Sequence, residues 1–360
     1  MSVILTLLVF TVIVVIHEWG HFWMARRRGI FVEEFAVGMG PAIFKRTTKK
    51  NLVISVRILP IGGFCKMKGE EADETGAKPE PDAFNAKSPG ARAAVAAAGP
   101  MMNFVLALAL LLIFNAIYGY ANTEISNVEA DYPAAQAGLE VGDEIIGLNG
   151  ESIHVYNKIS FLMMDYAEGE SIELEVRKAD GSEKTLVFEP KFDEEQQRYR
   201  MGFSVGVTEE LGDEIEEEGF FAAIWNLITY SFWFLLYQVE VTVRSIAMLF
   251  TGAVGLDAVA GPIGMVSVVG DTYEAAASYG VMAVVSSMAS LMTLLSANLG
   301  VLNLFPIPGL DGSRIVFCAI EKIRRKPLNP KIENMIFLAG FILLFGFMIV
   351  VALNDVLRFF

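Results

Sequence analysis

The most constraining feature of this sequence is a pair of histidines four residues apart within a hydrophobic segment. The run His17-Glu18-Trp19-Gly20-His21 follows a stretch, Val3 to Ile16, that is apolar apart from two threonines, and apolar residues resume at Phe22. On a helix both imidazoles share one face and can bind the same metal ion, with Glu18 beside them to take a proton from water. An acidic group at membrane depth costs about 2.5–3.5 kcal/mol on insertion scales, so such groups are rarely idle. The pattern predicts a metal site within the membrane; the alternative is a polar helix face packed against partners in a bundle.

A third metal ligand is predicted at Asp311. Catalytic zinc sites use three protein ligands and leave a fourth position for water. Asp311 follows the run Phe305-Pro306-Ile307-Pro308-Gly309-Leu310, whose prolines and glycine interrupt a helix at the end of an apolar segment. Alone, this stretch is more typical of a helix stop in which the aspartate caps the next helix. Together with the two histidines, it predicts a carboxylate that turns inward toward the metal.

The composition predicts an integral membrane protein. Hydrophobic residues make up 54% of the 360 residues, which leaves room for one soluble domain. Four segments are long and apolar enough to cross a bilayer: Val3–Ala25, Ala91–Tyr120, Val281–Phe305 and Ile332–Leu353. The first is not predicted to be a cleaved signal peptide, because no basic residue precedes it and three arginines follow it directly.

The charges of the loops predict the orientation. Lysine and arginine are concentrated in residues 26–90 and 306–331, whereas residues 122–280 are strongly acidic. Because basic loops stay in the cytoplasm, both chain termini and the acidic segment are predicted outside a bacterial cytoplasmic membrane, with the metal site near its cytoplasmic side. No basic stripe is present, so nucleic acid is not predicted as a partner.

At this point the chain resembles the bacterial site-2 proteases, the intramembrane zinc metalloproteases of regulated intramembrane proteolysis. The matching elements are spread along nearly its whole length: His17–Phe22, Ala98–Phe104, a PDZ-like domain, Gly261–Gly264, and the series of Asn298, Asn303 and Leu310–Gly312. The resemblance implies that His17, His21 and Asp311 bind Zn²⁺ and that Glu18 is the general base and acid. It also implies substrates that are single-span membrane proteins, such as anti-sigma factors or remnant signal peptides, already shortened by another protease.

Two asparagines are predicted to bind the substrate. Asn298 and Asn303 match asparagines of the family, and an amide at membrane depth pairs well with backbone groups of an unwound substrate that water cannot reach. The alternative for both, and more so for Asn298, is a hydrogen bond between helices.

A β-hairpin is predicted at residues 52–67, with two short strands about a turn at Gly62-Gly63. In the family such a hairpin is membrane-associated, and its edge accepts the substrate as an added strand. An exposed strand edge suits that role because it offers main-chain hydrogen bonds without selecting side chains. The alternative is a plain hairpin in a small cytosolic loop.

The segment between the second and third spans is predicted to hold an external domain and surface helices. Residues 122–206, including Tyr132–Gly150, resemble a PDZ domain. Such a domain binds a peptide or C-terminal tail, or acts as a size filter against intact ectodomains, and the sequence leaves both open. The aromatic-rich stretch Gly219–Leu249 is predicted to form interfacial helices, because a fifth span would place Asp311 on the opposite side from His21.

The predicted fold class is therefore an α-helical polytopic membrane protein with four transmembrane helices, a membrane-associated β-hairpin and an inserted external PDZ domain of α+β type. The predicted boundaries are: spans at 1–25, 91–121, 281–305 and 332–357; cytoplasmic segments at 26–90 and 306–331; the PDZ domain at 122–206; and interfacial helices at 207–280. The competing function classes are an inactive membrane scaffold that binds partners through its PDZ domain, and a metal transporter. The scaffold would be expected to have lost Glu18 or a ligand, and the transporter to have repeated spans.

Overall fold

A computed structural model describes residues 2–70, 79–208, 210–255 and 259–359 of the chain. The chain forms two compact units, one made of the residues up to Leu110 together with those from Thr242 onward, the other of Leu111–Val241. The helices are α1 Ser2–Arg27, α2 Pro89–Tyr118, α3 Pro133–Gln136, α4 Tyr156–Leu162, α5 Leu211–Glu218, α6 Phe220–Thr251, α7 Pro262–Ala277, α8 Val281–Leu304, α9 Asp311–Arg324 and α10 Pro330–Phe359. The strands are β1 Val32–Thr47, β2 Val53–Met67, β3 Ala121–Val128, β4 Glu144–Leu148, β5 Glu151–Ser152, β6 Ile172–Arg177, β7 Glu183–Phe188, β8 Lys191–Asp193, β9 Arg198–Arg200 and β10 Phe203–Val207.

Five helices, rather than the four predicted, are long and apolar enough to cross a membrane among the residues described: α1, α2, α6, α8 and α10. The additional one is α6, a continuous helix of 32 residues where the sequence predicts interfacial helices. Its few polar residues lower its apparent hydrophobicity in the sequence, but they do not interrupt the helix. With a fifth span, Asp311 was expected on the side opposite His21, yet the structure contains this helix and still brings Asp311 to the histidines.

The short helix α7 explains how α8 reaches the metal site. The carboxylate of Asp355, near the end of α10, accepts hydrogen bonds from the backbone N–H groups of Gly261, Ile263 and Gly264 at the start of α7. Farther along α7, Gly270 lies against the side chain of Ser2 at the start of α1. The helix α8 therefore starts from the end of this unit at which both chain termini lie, and it runs in the same direction as α1.

The strands β1 and β2 form a small sheet that differs from the predicted hairpin. Residues 53–67 are continuous strand, and the chain turns back between Arg57 and Gly63 as predicted, but the two halves lie on opposite sides of β1 instead of forming a hairpin with each other. Val37 pairs with Gly63 on one side and with Val56 on the other, while Thr47 pairs with Val53. The first half of β1 therefore lies between the two halves of β2, which leaves residues 63–67 as a free edge. The prediction missed this because the partner strand lies upstream, where Gly38, Gly40 and Pro41 weaken the strand pattern.

This sheet is attached to α1, and the end of the sheet near Pro60 is apolar. The hydroxyl of Thr11 donates to the carbonyl of Pro60 across 2.8 Å, so β2 lies beside the spanning helix. Five large apolar side chains at that end of the sheet are exposed: Met39, Ile43, Phe44, Ile58 and Leu59. An exposed apolar patch of this kind is typical of a surface in contact with a membrane or another protein.

The second unit contains a sheet with its own hydrophobic core. The strand order is β10-β3-β4-β6-β7, with β5 paired to β4. Alternating residues of these strands, including Ile145, Leu174 and Val176, are fully buried in a single cluster, as expected when one face of a sheet packs on a core. Because Ala121 pairs with Val207, the two ends of this domain lie side by side.

Candidate metal and peptidase site

Three ligand atoms converge where α1 meets the start of α9. The Nε2 atoms of His17 and His21 lie 3.1 Å apart, and the Oδ2 atom of Asp311 lies 3.1 Å and 3.3 Å from them. Both histidines are buried, with 7% and 8% of their surface exposed. Of the residues described, these three form the group that can hold a metal ion.

The spacing of these atoms fits zinc. Ligands at about 2.0–2.1 Å from a tetrahedral zinc ion lie roughly 3.3 Å from one another, close to the separations of the three atoms here. Two imidazoles and one carboxylate are also a donor set that zinc prefers in catalytic sites. The residues present therefore fit a zinc ion with one position left for water.

Asp311 reaches the histidines because the chain between α8 and α9 is broken and tightly folded. Gly309 has a φ of 100°, in the left-handed region that favours glycine. A Cβ on Gly312 would lie 2.2 Å from the carbonyl oxygen of Phe305, so only glycine fits there. Burial acts to raise the pKa of Asp311, but hydrogen bonds from His17 and His21 outweigh it and hold that pKa well below its usual range. The carboxylate is therefore ionised, as a metal ligand must be.

The helix α2 supports both histidines from one face. The carbonyl oxygen of Val95 lies 2.8 Å from Nδ1 of His21, and the side-chain nitrogen of Asn103 lies 3.3 Å from Nδ1 of His17. Gly99 lies between them in the sequence, and a Cβ there would lie 2.3 Å from Nε2 of His21. Since these three residues are four apart, they share one face of α2. Val95 and Asn103 of α2 therefore hold the two imidazole rings in place, and Gly99 leaves room for them.

Glu18 lies between the ligands and the sheet edge. Its side chain is half-buried, and the backbone N–H of Cys65 on the free edge of β2 donates to its carboxylate. Burial, together with Glu18 and Glu70 nearby, raises the pKa of the Cys65 thiol. Cys65 is therefore a neutral, buried thiol, and Glu18 is the carboxylate that lies next to the ligand atoms.

A pocket of about 680 Å³ opens beside these residues. Its lining includes His17, Glu18, His21, Asp311 and Asn303, together with residues from the free edge of β2 and from α9. Arg314 of α9 donates to the carboxylate of Glu70, which also accepts the N–H of Met67. The pocket thus places three candidate metal ligands, the carboxylate of Glu18, an amide and a strand edge around one space.

Comparison with known proteins identifies the family. Peptidase family M50 matches residues 5–347. The chain belongs to peptidase family M50. Among the relatives of this M50 protease, a protein of Clostridium acetobutylicum with zinc metalloprotease in its name is 33% identical over 355 residues, covering 99% of this chain and 97% of its own.

Other relatives carry the same description. Zinc metalloprotease RasP of Oceanobacillus iheyensis is 28% identical, covering 100% of this chain and 99% of its own, and RasP of Geobacillus kaustophilus is also 28% identical, covering 100% and 98%. Among solved structures, a PDZ domain from Listeria innocua covers 25% of this chain and 98% of its own, at 15% identity and a TM-score of 0.22.

These findings confirm the main predictions from the sequence. The M50 protease is a zinc metalloprotease of the site-2 protease family, its cofactor is Zn²⁺, and it is a multi-pass bacterial membrane protein.

The two predicted substrate-binding asparagines occupy different surroundings. Asn303 lines the pocket. Asn298 is not among the lining residues, and its side-chain oxygen accepts a hydrogen bond from Thr242 of α6 across 2.6 Å. That contact corresponds to the alternative of a bond between helices.

Sequence reasoning assigned no role to Asn103 or Gly99, although both belong to the run Ala98–Phe104 that carried the resemblance. The available signal was an amide within an apolar helical segment, because such a group is costly there unless it is paired.

Proposed function

We propose that this M50 protease hydrolyses peptide bonds within the transmembrane segments of single-span membrane proteins. The observation that carries the proposal is the location of the site. The two histidines and Glu18 belong to α1, a helix long and apolar enough to span a membrane, and they open onto a pocket beside a free strand edge. A peptide bond that reaches this site is therefore one that lies within or next to the bilayer.

His17, His21 and Asp311 hold the zinc ion, and Glu18 moves the proton. When bound, the zinc ion would act as a Lewis acid, lowering the pKa of water to about 7 and polarising the scissile carbonyl. Glu18 accepts the proton of the attacking water and delivers it to the nitrogen of the leaving amine. Its position between the ligands and the sheet edge supports both roles.

The free edge of β2 receives the substrate as an added strand. A transmembrane helix hides its carbonyls in its own hydrogen bonds, so it must unwind before it is cut. The outward-facing N–H groups of Cys65 and Met67 now bond the carboxylates of Glu18 and Glu70. These are the donors that the carbonyls of an extended substrate would meet.

Asn303 binds the unwound substrate backbone, since its amide lines the pocket beside Asp311. For Asn298 the bond to Thr242 supports a role in joining α8 to α6. Of the two asparagines predicted to bind substrate, only Asn303 keeps that role in this proposal.

The proposed orientation follows the charges of the loops: both termini and the external domain outside, and the metal site near the cytoplasmic face. The exposed apolar end of the β1–β2 sheet, with Ile43 and Ile58, supports contact with lipid. Anti-sigma factors and remnant signal peptides are the substrates that the family resemblance implies. The external domain, with its PDZ-like sequence, binds peptide tails or excludes large ectodomains.

An inactive scaffold is the competing proposal, in which the external domain binds partners and the membrane site is vestigial. The three ligand atoms keep a separation suited to zinc, and Glu18 is retained beside them. A vestigial site has no reason to keep either.

The test uses the purified full-length protein in lipid vesicles with a single-span substrate that lacks a bulky ectodomain. Replacing a general base typically lowers rates by about 10²–10⁴-fold, so Glu18→Gln is expected to lower cleavage by at least 100-fold while zinc stays bound. Glu33→Gln is the matched control, because Glu33 also lines the pocket but pairs with Lys66. Equal cleavage by Glu18→Gln and wild type overturns the role of Glu18. Cleavage confined to soluble peptides overturns the substrate class.

A further inference from the structure

The two histidine ligands are supported unequally in the structure. For both rings, Nε2 faces Asp311 and Nδ1 faces α2. A histidine that binds a metal through Nε2 carries its remaining proton on Nδ1, and that proton needs an acceptor. His21 has one, because its Nδ1 lies 2.8 Å from the carbonyl oxygen of Val95. His17 instead faces the side-chain nitrogen of Asn103, which is itself a donor.

The side-chain amide of Asn103 contains an oxygen that can accept the Nδ1–H of His17. Its side-chain oxygen is buried and has no hydrogen-bond partner within the part of the chain that the structure describes. The nitrogen and oxygen of an asparagine amide have nearly the same shape, and their placement follows from the hydrogen bonds around them. Turning this amide over would place an oxygen about where the nitrogen is, 3.3 Å from Nδ1 of His17. The Nδ1–H of His17 would then donate a hydrogen bond to that oxygen.

The position of Asn103 is fixed independently of its side chain. The residue is fully buried, and its backbone carbonyl accepts a hydrogen bond from the hydroxyl of Ser296 on α8 across 2.8 Å. The next residue, Phe104, packs against Gly300 of α8, where a Cβ would lie 2.9 Å from the ring. The amide is therefore held against His17 by packing between helices.

From this geometry we infer that the side-chain oxygen of Asn103 accepts the Nδ1–H of His17 and positions the first zinc ligand. Asn103 is a positioning residue, because it acts through His17. The inference rests on the proposed ligand set. It adds to that set a stripe on one face of α2, in which Val95 supports His21, Asn103 supports His17, and Gly99 leaves room for the rings.

The test measures zinc release from the full-length protein in detergent with a chelator in excess. Loss of such a partner typically weakens metal binding by about 10- to 100-fold, so Asn103→Ala is expected to release zinc that much faster. Asn103→Asp supplies an acceptor in the same place and is expected to hold zinc as wild type does. Asn115→Ala is the matched control, since Asn115 is a second buried asparagine of α2, bonded to Ser231 at 3.0 Å.

A second readout separates positioning from general loosening of the helices. In protein loaded with Co²⁺, the visible absorption bands report the ligand geometry. They are expected to shift in Asn103→Ala, to return in Asn103→Asp, and to stay unchanged in Asn115→Ala.

Zinc release from Asn103→Ala at the rate of Asn115→Ala would overturn the inference. So would a folded Asn103→Asp variant that releases zinc about 10- to 100-fold faster than wild type, a comparison that needs no folded alanine variant. Full zinc retention in His17→Ala is a different result, because it would remove His17 from the proposed ligand set itself.

Discussion

Gly99 faces His21 so closely that a Cβ on the glycine would lie 2.3 Å from Nε2, the atom that points to the metal site. No side chain fits at that distance without moving the ring. The backbone of α2 also packs directly against α1. A Cβ on Gly20 of α1 would lie 2.2 Å from the carbonyl oxygen of Ala98 of α2. The metal site therefore depends on the absence of side chains as much as on the ligands.

The first prediction follows from that contact. Gly99→Ala is expected to displace the His21 ring and lower zinc occupancy, measured by elemental analysis of the purified protein. Gly90→Ala is the control on the same helix, since nothing lies within 4 Å of the Cβ position of Gly90. A Gly99→Ala protein with a full complement of zinc would show that α2 can shift away from α1 at little cost.

The second prediction concerns the ligand set. Wild-type protein is expected to hold one zinc ion per chain, and His17→Ala, His21→Ala and Asp311→Ala are each expected to lower that occupancy, because a catalytic zinc site needs all three protein ligands. The control is Asp271→Ala, which removes an exposed carboxylate of α7. Full occupancy in Asp311→Ala would leave the third ligand to be found elsewhere.

The third prediction compares two asparagines on the same helix. Asn303→Ala removes an amide that lines the pocket and is expected to lower cleavage with zinc still bound, whereas Asn298→Ala removes a bond to Thr242 and is expected to lower thermal stability more than cleavage. Helix-breaking residues near the cut site of the substrate should partly offset the Asn303→Ala defect, because less unwinding is then required. Equal cleavage defects in both variants, insensitive to the substrate helix, would argue against backbone binding by Asn303.

The fourth prediction tests the external domain as a size filter. The domain ends at Ala121 and Val207 are paired strand residues, so a short flexible linker can join the flanking segments when residues 122–206 are removed. The shortened protein is expected to keep its zinc and to cleave substrates whose ectodomains are intact. If it instead loses activity on shortened substrates despite normal zinc content, the domain serves in delivery or assembly.

The metal site shows most clearly which features of this protein the sequence determines. The spacing of His17 and His21 is local, and helical periodicity alone puts both rings on one face. Asp311 was within reach of prediction because the two prolines and the glycine before it mark a helix break at the end of an apolar segment. These features depend on neighbouring residues, which a sequence displays directly.

The tertiary structure decided the rest, because it depends on pairings between distant residues. Residues 53–67 alone cannot reveal that their partner is β1, or that residues 63–67 become the free edge beside Glu18. Asn298 and Asn303 are the same residue type five positions apart, and only the packing of α6 and α8 sends one to Thr242 and the other to the pocket. The support of His21 comes from a backbone carbonyl, a group that every residue carries and that no sequence pattern can mark.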